Sequence, residues 1–338
     1  MDERNAILGR LPVIAIAIAV VALYLVPTVV TGTFWLHLFD MVLINAVLAL
    51  GLNVILKTGQ ISLAHAAFMA IGAYMSAQLT VQLGLPFIVA FFAAGIGAAL
   101  VALMMGRIIL RLRGVYFILF TFALNEFAFL LSKDVEFLTG GNTGVIGIQA
   151  PSLPFLSEPL ASKGDFYYLA LTVFVLTLAG LAALYRSPLG RAMNAVRESQ
   201  LLAESTGYDP MRVKVIAFAI GSLIAGFGGS LFAHFLRYIA PFNFTFWESV
   251  NFLLMNILGG GQSLLGPIIG AAVLTPLPEL LRDYVIWQQM LYGIILMLFM
   301  RFIPDGIVGL LVGPARALWR GLRRTTSEDR SEGATAEP

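Results

Sequence analysis

Long apolar runs recur along the chain, and each is bounded by charged or turn-forming residues. A helical run of about 20 apolar residues crosses a bilayer with its backbone N–H and C=O groups satisfied within the segment. The alternation typical of outer-membrane strands does not occur in the sequence. The pattern therefore predicts an all-α, polytopic membrane helical bundle. Ten transmembrane helices are predicted, at about 11–31, 34–56, 63–83, 86–106, 114–132, 166–185, 213–235, 245–258, 264–281 and 285–303.

Two of these spans depart from the ordinary pattern. The first is longer than the apolar region of a secretion signal, and no Ala-x-Ala site follows it. We therefore interpret it as an uncleaved helix. The eighth is short and ends at Leu258-Gly259-Gly260-Gly261, which predicts a helix broken inside the membrane. Such a break requires protein or a water-filled cavity around the freed backbone groups.

The spacing of small residues predicts how the helices pack. In the seventh span, Gly221, Ala225, Gly229 and Ala233 recur every four residues, and a neighbouring stripe contains Gly226. Because lipid tails are as apolar as leucine, membrane helices associate mainly through close packing at such small residues. The stripes predict tight packing within the chain rather than a dimer seam.

Composition agrees with a membrane protein. Of the 338 residues, 59% are hydrophobic and 12% are charged, and the mean hydropathy is +0.88. A soluble domain carries about a quarter charged residues, so this chain has too little polar surface to cover a globule. The absence of cysteine from the sequence excludes disulfides and thiolate metal sites.

The charges also predict an orientation. When the 21 lysines and arginines are sorted onto alternate sides of the ten spans, 17 fall on one side and 4 on the other. Positive residues accumulate on the cytoplasmic side of membrane proteins. Both termini are therefore predicted to be cytoplasmic.

Three segments outside the spans stand out. Residues 133–165 form an external loop that contains Asp134, Glu136 and Glu158, and residues 186–212 form the largest internal cytoplasmic loop. Residues 313–338 begin basic and end as a tail predicted to be disordered. The transmembrane domain is assigned to residues 1–312.

The cytoplasmic loop predicts two short capped helices. Ser187 and Pro188 open the first, the second runs from Ser199 to Thr206 and ends at Gly207, and Asp209-Pro210 caps the next span. Such definition favours a surface that docks on a partner; a membrane-surface helix that binds anionic lipid is the alternative. The residues of this knob are Arg197, Glu198, Leu201, Leu202, Ala203, Glu204 and Gly207.

Polar residues at membrane depth need a partner or a wet cavity. For the amides and hydroxyls, interhelical hydrogen bonds are the favoured interpretation, and contact with a transported solute is the alternative. Glu126 and Glu248 differ, because carboxylates within spans are more often functional. The candidate translocation path comprises Asn45, Ser62, His65, Ser76, Thr121, Asn125, Glu248 and Asn251.

The sequence has no motif for chemistry of its own. No Gly-Lys dipeptide occurs, so there is no loop to cradle ATP phosphates, and catalytic and metal motifs are missing from the sequence. We therefore expect neither an enzyme nor a metal site. Energy for transport must come from an ion gradient or from a partner protein.

Several stretches resemble the permease subunits of branched-chain amino acid ABC importers, of the LivH/LivM type and closest to the LivM half. The resemblance covers about residues 40–282 in register. At 203–205 the loop reads Ala-Glu-Ser where that family usually has Glu-Ala-Ala. The matching stretches are Gly59 to Ala66, Arg113 to Phe117, Thr139 to Gly144, Ala195 to Gly207 and Leu258 to Pro267.

The resemblance implies a larger-importer (type II) permease fold in a bacterial inner membrane. It also implies a second homologous permease in a heterodimer, two ATPases that bind ATP and magnesium, and a periplasmic substrate-binding protein, with no nucleic acid. Asp134, Glu136 and Glu158 are candidates for docking that binding protein. The predicted substrate is a branched-chain or other apolar amino acid. Import of urea, aromatic acids or sugars on the same scaffold, and an ion-coupled secondary carrier, are the alternatives.

Overall fold

A computed structural model describes residues 23–29, 32–152, 159–160, 162–281, 287–302 and 306–310. These residues are mostly helical, as the apolar runs predict. The helices are α1 (23–29), α2 (Thr33–Leu56), α3 (His65–Val81), α4 (Phe87–Ile109), α5 (Val115–Asp134), α6 (Glu136–Thr139), α7 (Lys163–Arg186), α8 (Pro188–Glu198), α9 (Gln200–Ser205), α10 (Pro210–Leu236), α11 (Phe246–Gly259), α12 (Gly266–Leu274), α13 (Pro276–Leu280), α14 (Gln288–Phe302) and α15 (306–310).

Described helices coincide with every predicted span from 34–56 onward. Five of them, α2, α4, α5, α7 and α10, are each long and apolar enough to cross a membrane. Most of the first predicted span and the tail at 313–338 lie outside the described residues. The fold is thus an all-α, multi-pass membrane bundle, and the total of ten transmembrane helices stays a prediction.

The predicted span 264–281 is helical over residues 266–280 and is divided near its middle. It consists of α12 and α13, which meet at Thr275 and Pro276. Proline lacks the N–H that continues a helical ladder, and its ring clashes with the preceding turn. The preceding helix α11 is short, as predicted, with 14 residues, and it ends at Gly260 with φ +104°.

Helix α10 lies at the centre of the bundle and packs against α2, α3 and α4. Glycines allow this contact: a Cβ atom at Gly226 would lie 2.6 Å from the Ala94 carbonyl oxygen, and one at Gly221 would lie 2.7 Å from the Gly51 oxygen. Gly229 fits against the backbone of Met69 on α3. The prediction of tight packing within the chain is confirmed at these positions.

The contacts also show the direction of each helix. Gly51 meets Gly221 while Leu48 meets Gly228, so α2 and α10 run antiparallel. Ser76 bonds Ser230 and Gly72 faces Gly226, so α3 runs parallel to α10. As a result Lys57, Arg107 and Arg186 lie at one end of the bundle, together with α8 and α9. We call it the basic end.

The opposite end contains the turn-rich segment after α5. Gly140, Gly141 and Gly144 all have positive φ, a backbone conformation that glycine adopts readily in tight turns. The segment continues as a two-residue strand, β1 (Val145–Ile146), which pairs antiparallel with β2 (Tyr238–Ile239) after α10. This pairing fastens the loop to the end of the central helix.

Candidate functional site

The segment between α7 and α10 folds into the two capped helices that the sequence predicts. The Ser187 hydroxyl accepts a hydrogen bond from the Gly190 N–H (3.4 Å), which starts α8. Ser199 accepts from the Leu202 N–H (3.3 Å) and starts α9. Asp209 accepts from two amides of α10, the nearer at 3.0 Å. Each helix start is therefore fixed by its own local cap.

The knob is anchored on one face and bare on the other. Met193 and Val196 of α8 and Ala203 of α9 are at most 1% exposed. Leu201 and Leu202 are 79% and 65% exposed. Adjacent exposed leucines on a well-anchored helix are typical of a surface that a partner covers.

Charged residues border this apolar tip. Arg197 and Glu198 form an ion pair at 3.9 Å, and Glu204 is exposed. A solvent-accessible ion pair at this distance adds little to the stability of the fold. We therefore assign these two charges no structural role at this position. Gly207 ends the knob with φ +86°, and its N–H donates to the Glu204 carbonyl oxygen (3.0 Å).

Helix α3 begins inside the bundle, where its first amides are capped by other helices. The first turn of a helix leaves N–H groups without intrahelical partners, and burying them unsatisfied is costly. Ser62 caps the Ala64 N–H locally at 3.3 Å. The other caps are Leu63 N–H to Thr121 Oγ1 (3.1 Å), Ala66 N–H to Ser249 Oγ (2.8 Å) and Ala67 N–H to Asn125 Oδ1 (2.9 Å).

Two further predicted path residues are also buried between helices. His65 Nε2 bonds the Leu48 carbonyl oxygen (2.8 Å), linking α3 to α2. Ser76 bonds Ser230 (2.7 Å) and His234 Nε2 (3.0 Å), linking α3 to α10. His65 and Ser76 are fully buried.

The remaining three path candidates are only half-buried. The Asn45 amide donates to Thr275 Oγ1 (3.0 Å), which joins α2 to the end of α12. Asn251 accepts from the Tyr292 hydroxyl (3.3 Å), which joins α11 to α14. Glu248 is near the start of α11. Ser62, Thr121 and Asn125 therefore meet at the start of α3. His65, Ser76, Asn45 and Asn251 bond at four other interhelical contacts.

Sequence reasoning did not select every polar residue that joins helices. Neither Ser249, which is next to Glu248, nor Asn256 is among the predicted path residues. Asn256 accepts from Asn53 (2.9 Å), and Asn53 in turn accepts from the Tyr185 hydroxyl (2.8 Å). Asn256 lies on the stripe of buried α11 positions with Phe252 and Ser249, so helical periodicity was the available signal.

Comparison with known proteins identifies the family. The family model described as "Branched-chain amino acid transport system / permease component" matches residues 35–300. The chain belongs to this permease family. It is a permease subunit of the ATP-binding cassette importer class, and it is not itself an enzyme.

Individual relatives agree. The chain is 33% identical to the LivM permease protein of the high-affinity branched-chain amino acid transport system of Escherichia coli K12, over 85% of this chain and 74% of LivM. It is 26% identical to the LivH permease protein of Salmonella typhimurium, over 78% of this chain and 91% of LivH. It is also 26% identical to the autoinducer 2 import permease protein LsrC of Enterobacter sp. strain 638, over 49% of this chain and 50% of LsrC. No solved structure matches the permease.

The acidic docking candidates of the permease lie at the end opposite the knob. Asp134 ends α5 and Glu136 begins α6, and both are exposed. Glu158 lies outside the described residues. In the part of the permease that the structure describes, no three His, Asp or Glu side chains form a group suited to a metal.

Helix α5 is the least covered of the long helices of the permease. Only 22% of its apolar window is buried within the chain, and Tyr116, Leu119 and Phe127 are among its exposed side chains. A largely apolar cavity of about 500 Å³ separates α5 from α3 and α4. An apolar face of this size is covered in the membrane by lipid or by another subunit.

The caps on α3 give a stability prediction for the permease. The Ala67 N–H is shared between Asn125 Oδ1 (2.9 Å) and the Ala64 carbonyl oxygen (3.1 Å), so we expect Asn125→Ala to lower the free energy of unfolding by about 1 kcal/mol. Thermal unfolding of the purified protein in detergent measures the change. The matched control is Glu126→Ala, one residue further along α5. Equal unfolding temperatures for the two variants would contradict the cap.

Proposed function

We propose that this permease forms half of a translocation path for branched-chain or other apolar amino acids. Its partners are a second homologous permease in a heterodimer, two ATPases and a periplasmic substrate-binding protein. ATP and magnesium bind to the ATPases, and this chain carries no cofactor. The assembly resides in a bacterial inner membrane with both termini of the permease in the cytoplasm.

The knob is the observation that carries the proposal. Its two exposed leucines sit on a base that is capped at every helix start and buried on its inner face. A groove on an ATPase would bury Leu201 and Leu202, while Arg197, Glu198 and Glu204 would set the orientation at the rim. Closure of the ATPases on ATP would then displace α8 and α9 and switch access from outside to inside.

The close packing of α10 supports a path shared between two subunits. Helices α2, α3 and α4 contact it at glycines through backbone atoms, and Ser76 of α3 bonds Ser230 of α10. A solute has no space to pass through such an interior. We therefore propose that the path lies on the outside of the bundle, between the bare face of α5 and the second permease.

Charge supports the orientation. The basic end carries the knob together with Lys57, Arg107 and Arg186, as expected of a cytoplasmic face. Asp134 and Glu136 then face the periplasm, where basic residues of the binding protein would meet them.

The substrate assignment rests on the names of the relatives, most of which are branched-chain amino acid permeases. Competition for uptake of labelled leucine in a deletion strain tests it. We expect isoleucine and valine to compete, and urea, aromatic acids and sugars not to compete. Competition by one of the latter would reassign the substrate and leave the permease role unchanged.

The alternative is an ion-coupled secondary carrier, which Glu126 and Glu248 motivate because both lie within apolar helices. Reconstitution separates the two functions. A carrier transports alone in proteoliposomes under an ion gradient. The proposed importer requires its ATPases and second permease to co-purify, and it imports only with ATP.

Gly207 provides a test of the coupling role. Its φ of +86° is unfavourable for other residues by about 1–2 kcal/mol, whereas its Cβ position has no neighbour within 4 Å. We therefore expect Gly207→Val to shift the end of the knob and abolish ATP-driven uptake while membrane insertion persists. Gly207→Asn should retain much of the uptake, because asparagine tolerates this conformation. Wild-type uptake by Gly207→Val would refute the coupling role.

A further inference from the structure

The connection between α11 and α12, residues 260–265, is a turn built on glycine, which we call the glycine turn. Gly260 has φ +104°, and Gly259 and Gly266 on either side approach each other so closely that a Cβ on Gly259 would overlap the Gly266 backbone. The turn lies at the basic end, because Lys57, just after α2, bonds the Gln262 carbonyl oxygen of the turn. It is a short non-helical link between two short helices.

Two side chains of the α2 end hold this turn by its backbone. Asn53 Nδ2 donates to the Gly261 carbonyl oxygen (3.0 Å). Lys57 Nζ donates to the Gln262 carbonyl oxygen (2.5 Å). The Gln262 side chain itself is exposed, so only its backbone takes part in this contact.

One residue of α7 contacts both of these side chains. The Tyr185 hydroxyl donates to Asn53 Oδ1 (2.8 Å), and Lys57 Nζ lies 5.1 Å from the centre of the Tyr185 ring. A cation over an aromatic face is attracted by it. Tyr185 stands two residues before Ser187, the cap that starts α8. Any displacement of the start of α8 therefore acts directly on Tyr185.

The other end of α8 reaches the same place. The Arg197 side chain packs on Gly59, with its Cγ 3.3 Å from where a Cβ would be. Burial, and then the positive charge of Arg197, lower the pKa of Lys57 from its usual range. The last turn of α8, through Arg197, and the last turn of α7, through Tyr185, thus both contact the segment that holds the glycine turn.

The hydrogen bonds around the glycine turn differ in burial, so some are permanent and others can break and re-form. Asn256 is fully buried and donates to the Ala49 and Phe252 carbonyl oxygens (both 2.9 Å), which fixes α11 on α2. Tyr185 and Lys57 are only half-buried. Lys57 holds the turn through one hydrogen bond, and Tyr185 makes one hydrogen bond to Asn53, which holds the turn in its place. Single hydrogen bonds at partly exposed positions can exchange with water, so these two can break and re-form during a cycle.

We infer that the glycine turn is the moving element that α8 displaces in response to ATP, with Tyr185 and Lys57 as positioning residues that transmit the motion. The inference rests on the proposed function, since it assumes that ATPases act on the knob. The element inside the permease that responds to ATP is then the connection between α11 and α12. The contact between α2 and α11 stays in place.

The test uses the complete importer in lipid nanodiscs with a fluorescent label on Gln262→Cys, since the permease contains no cysteine of its own. We expect ATP to change the label's emission in the otherwise wild-type complex. Tyr185→Phe, which keeps the ring and removes the hydroxyl, should reduce that change at least threefold. It should also lower the amount of solute imported per ATP hydrolysed.

Tyr167→Phe is the matched control, because its hydroxyl donates a bond of similar length (2.9 Å, to the Leu23 oxygen) from the other end of α7. A purely structural role would let Tyr185→Phe and Tyr167→Phe lower thermal stability alike and leave the import-to-hydrolysis ratio unchanged. Lys57→Met should reduce the label response, and Lys57→Arg should restore it by keeping the positive charge.

Two results overturn the inference: a label that does not respond to ATP in the wild-type background, or an unchanged response in Tyr185→Phe. Failure of the proposed function looks different. In that case the wild-type complex imports no amino acid with ATP. The label on Gln262→Cys can still respond to ATP in that complex, and a smaller response in Tyr185→Phe would then still support the link between α8 and the glycine turn.

Discussion

Replacing both exposed leucines of the knob, as in Leu201→Asp/Leu202→Asp, is expected to detach the permease from its ATPases and abolish ATP-driven import. Burial of one leucine side chain contributes about 1.5–3 kcal/mol. Losing two therefore weakens the association by about 3 kcal/mol or more, which is about 100-fold in affinity. The two aspartates would also bring negative charge next to Glu198 and Glu204. Co-purification of the ATPases with tagged permease measures the effect.

The matched control changes two exposed leucines at the other end of the bundle. Leu83 and Leu85, in the connection between α3 and α4, are 66% and 37% exposed. We expect Leu83→Asp/Leu85→Asp to retain the ATPases. Normal retention of ATPases by the knob variant would show that the leucines face lipid, which is the alternative interpretation of this segment.

Gly226→Leu is expected to have the largest effect on the permease fold. A Cβ at Gly226 lies 2.6 Å from the Ala94 oxygen and 2.9 Å from the Ala98 Cβ, both on α4. Helix α10 has no direction in which to retreat, because Gly72 of α3 presses on Gly226 from another side. Overpacking of this kind costs about 3 kcal/mol. The fraction recovered as a monodisperse protein after detergent extraction should fall sharply.

Gly180→Leu is the control for this variant. Gly180 also lies inside a long apolar helix, α7, but it is exposed and its Cβ position has no neighbour within 4 Å. Leucine also has better helix propensity than glycine, so this control should be recovered at least as well as the wild type. Equal recovery of the two variants would show that α10 does not depend on close approach.

Features set by residues near one another in sequence could be predicted. Ser187, Ser199 and Asp209 each cap the helix that follows immediately, so their pattern was sufficient to predict α8, α9 and the start of α10. The small-residue stripes of α10 depend only on a four-residue period. These features fix both the knob and the centre of the bundle.

Features that depend on distant partners could not be predicted. The caps on α3 come from residues such as Ser249, which is 183 positions from Ala66. A serine or an asparagine looks the same in sequence whether it faces a solute or the amide of another helix. The predicted path residues Ser62, Thr121 and Asn125 therefore stood out correctly as polar groups, but only the fold shows that they bond the start of α3. The division between α12 and α13 is different, because Pro276 is visible in the sequence. The continuous hydropathy of residues 264–281 nevertheless favoured one uninterrupted span.

The caps on α3 also set an order for biogenesis. The ribosome completes α3 long before it reaches Ser249, and 58 residues separate Ala67 from Asn125. During that interval the Leu63 and Ala66 amides at the start of α3 need water or the insertion machinery as partners, because lipid offers them none. Insertion of this helix is therefore finished only when the nascent chain has delivered α5 and α11.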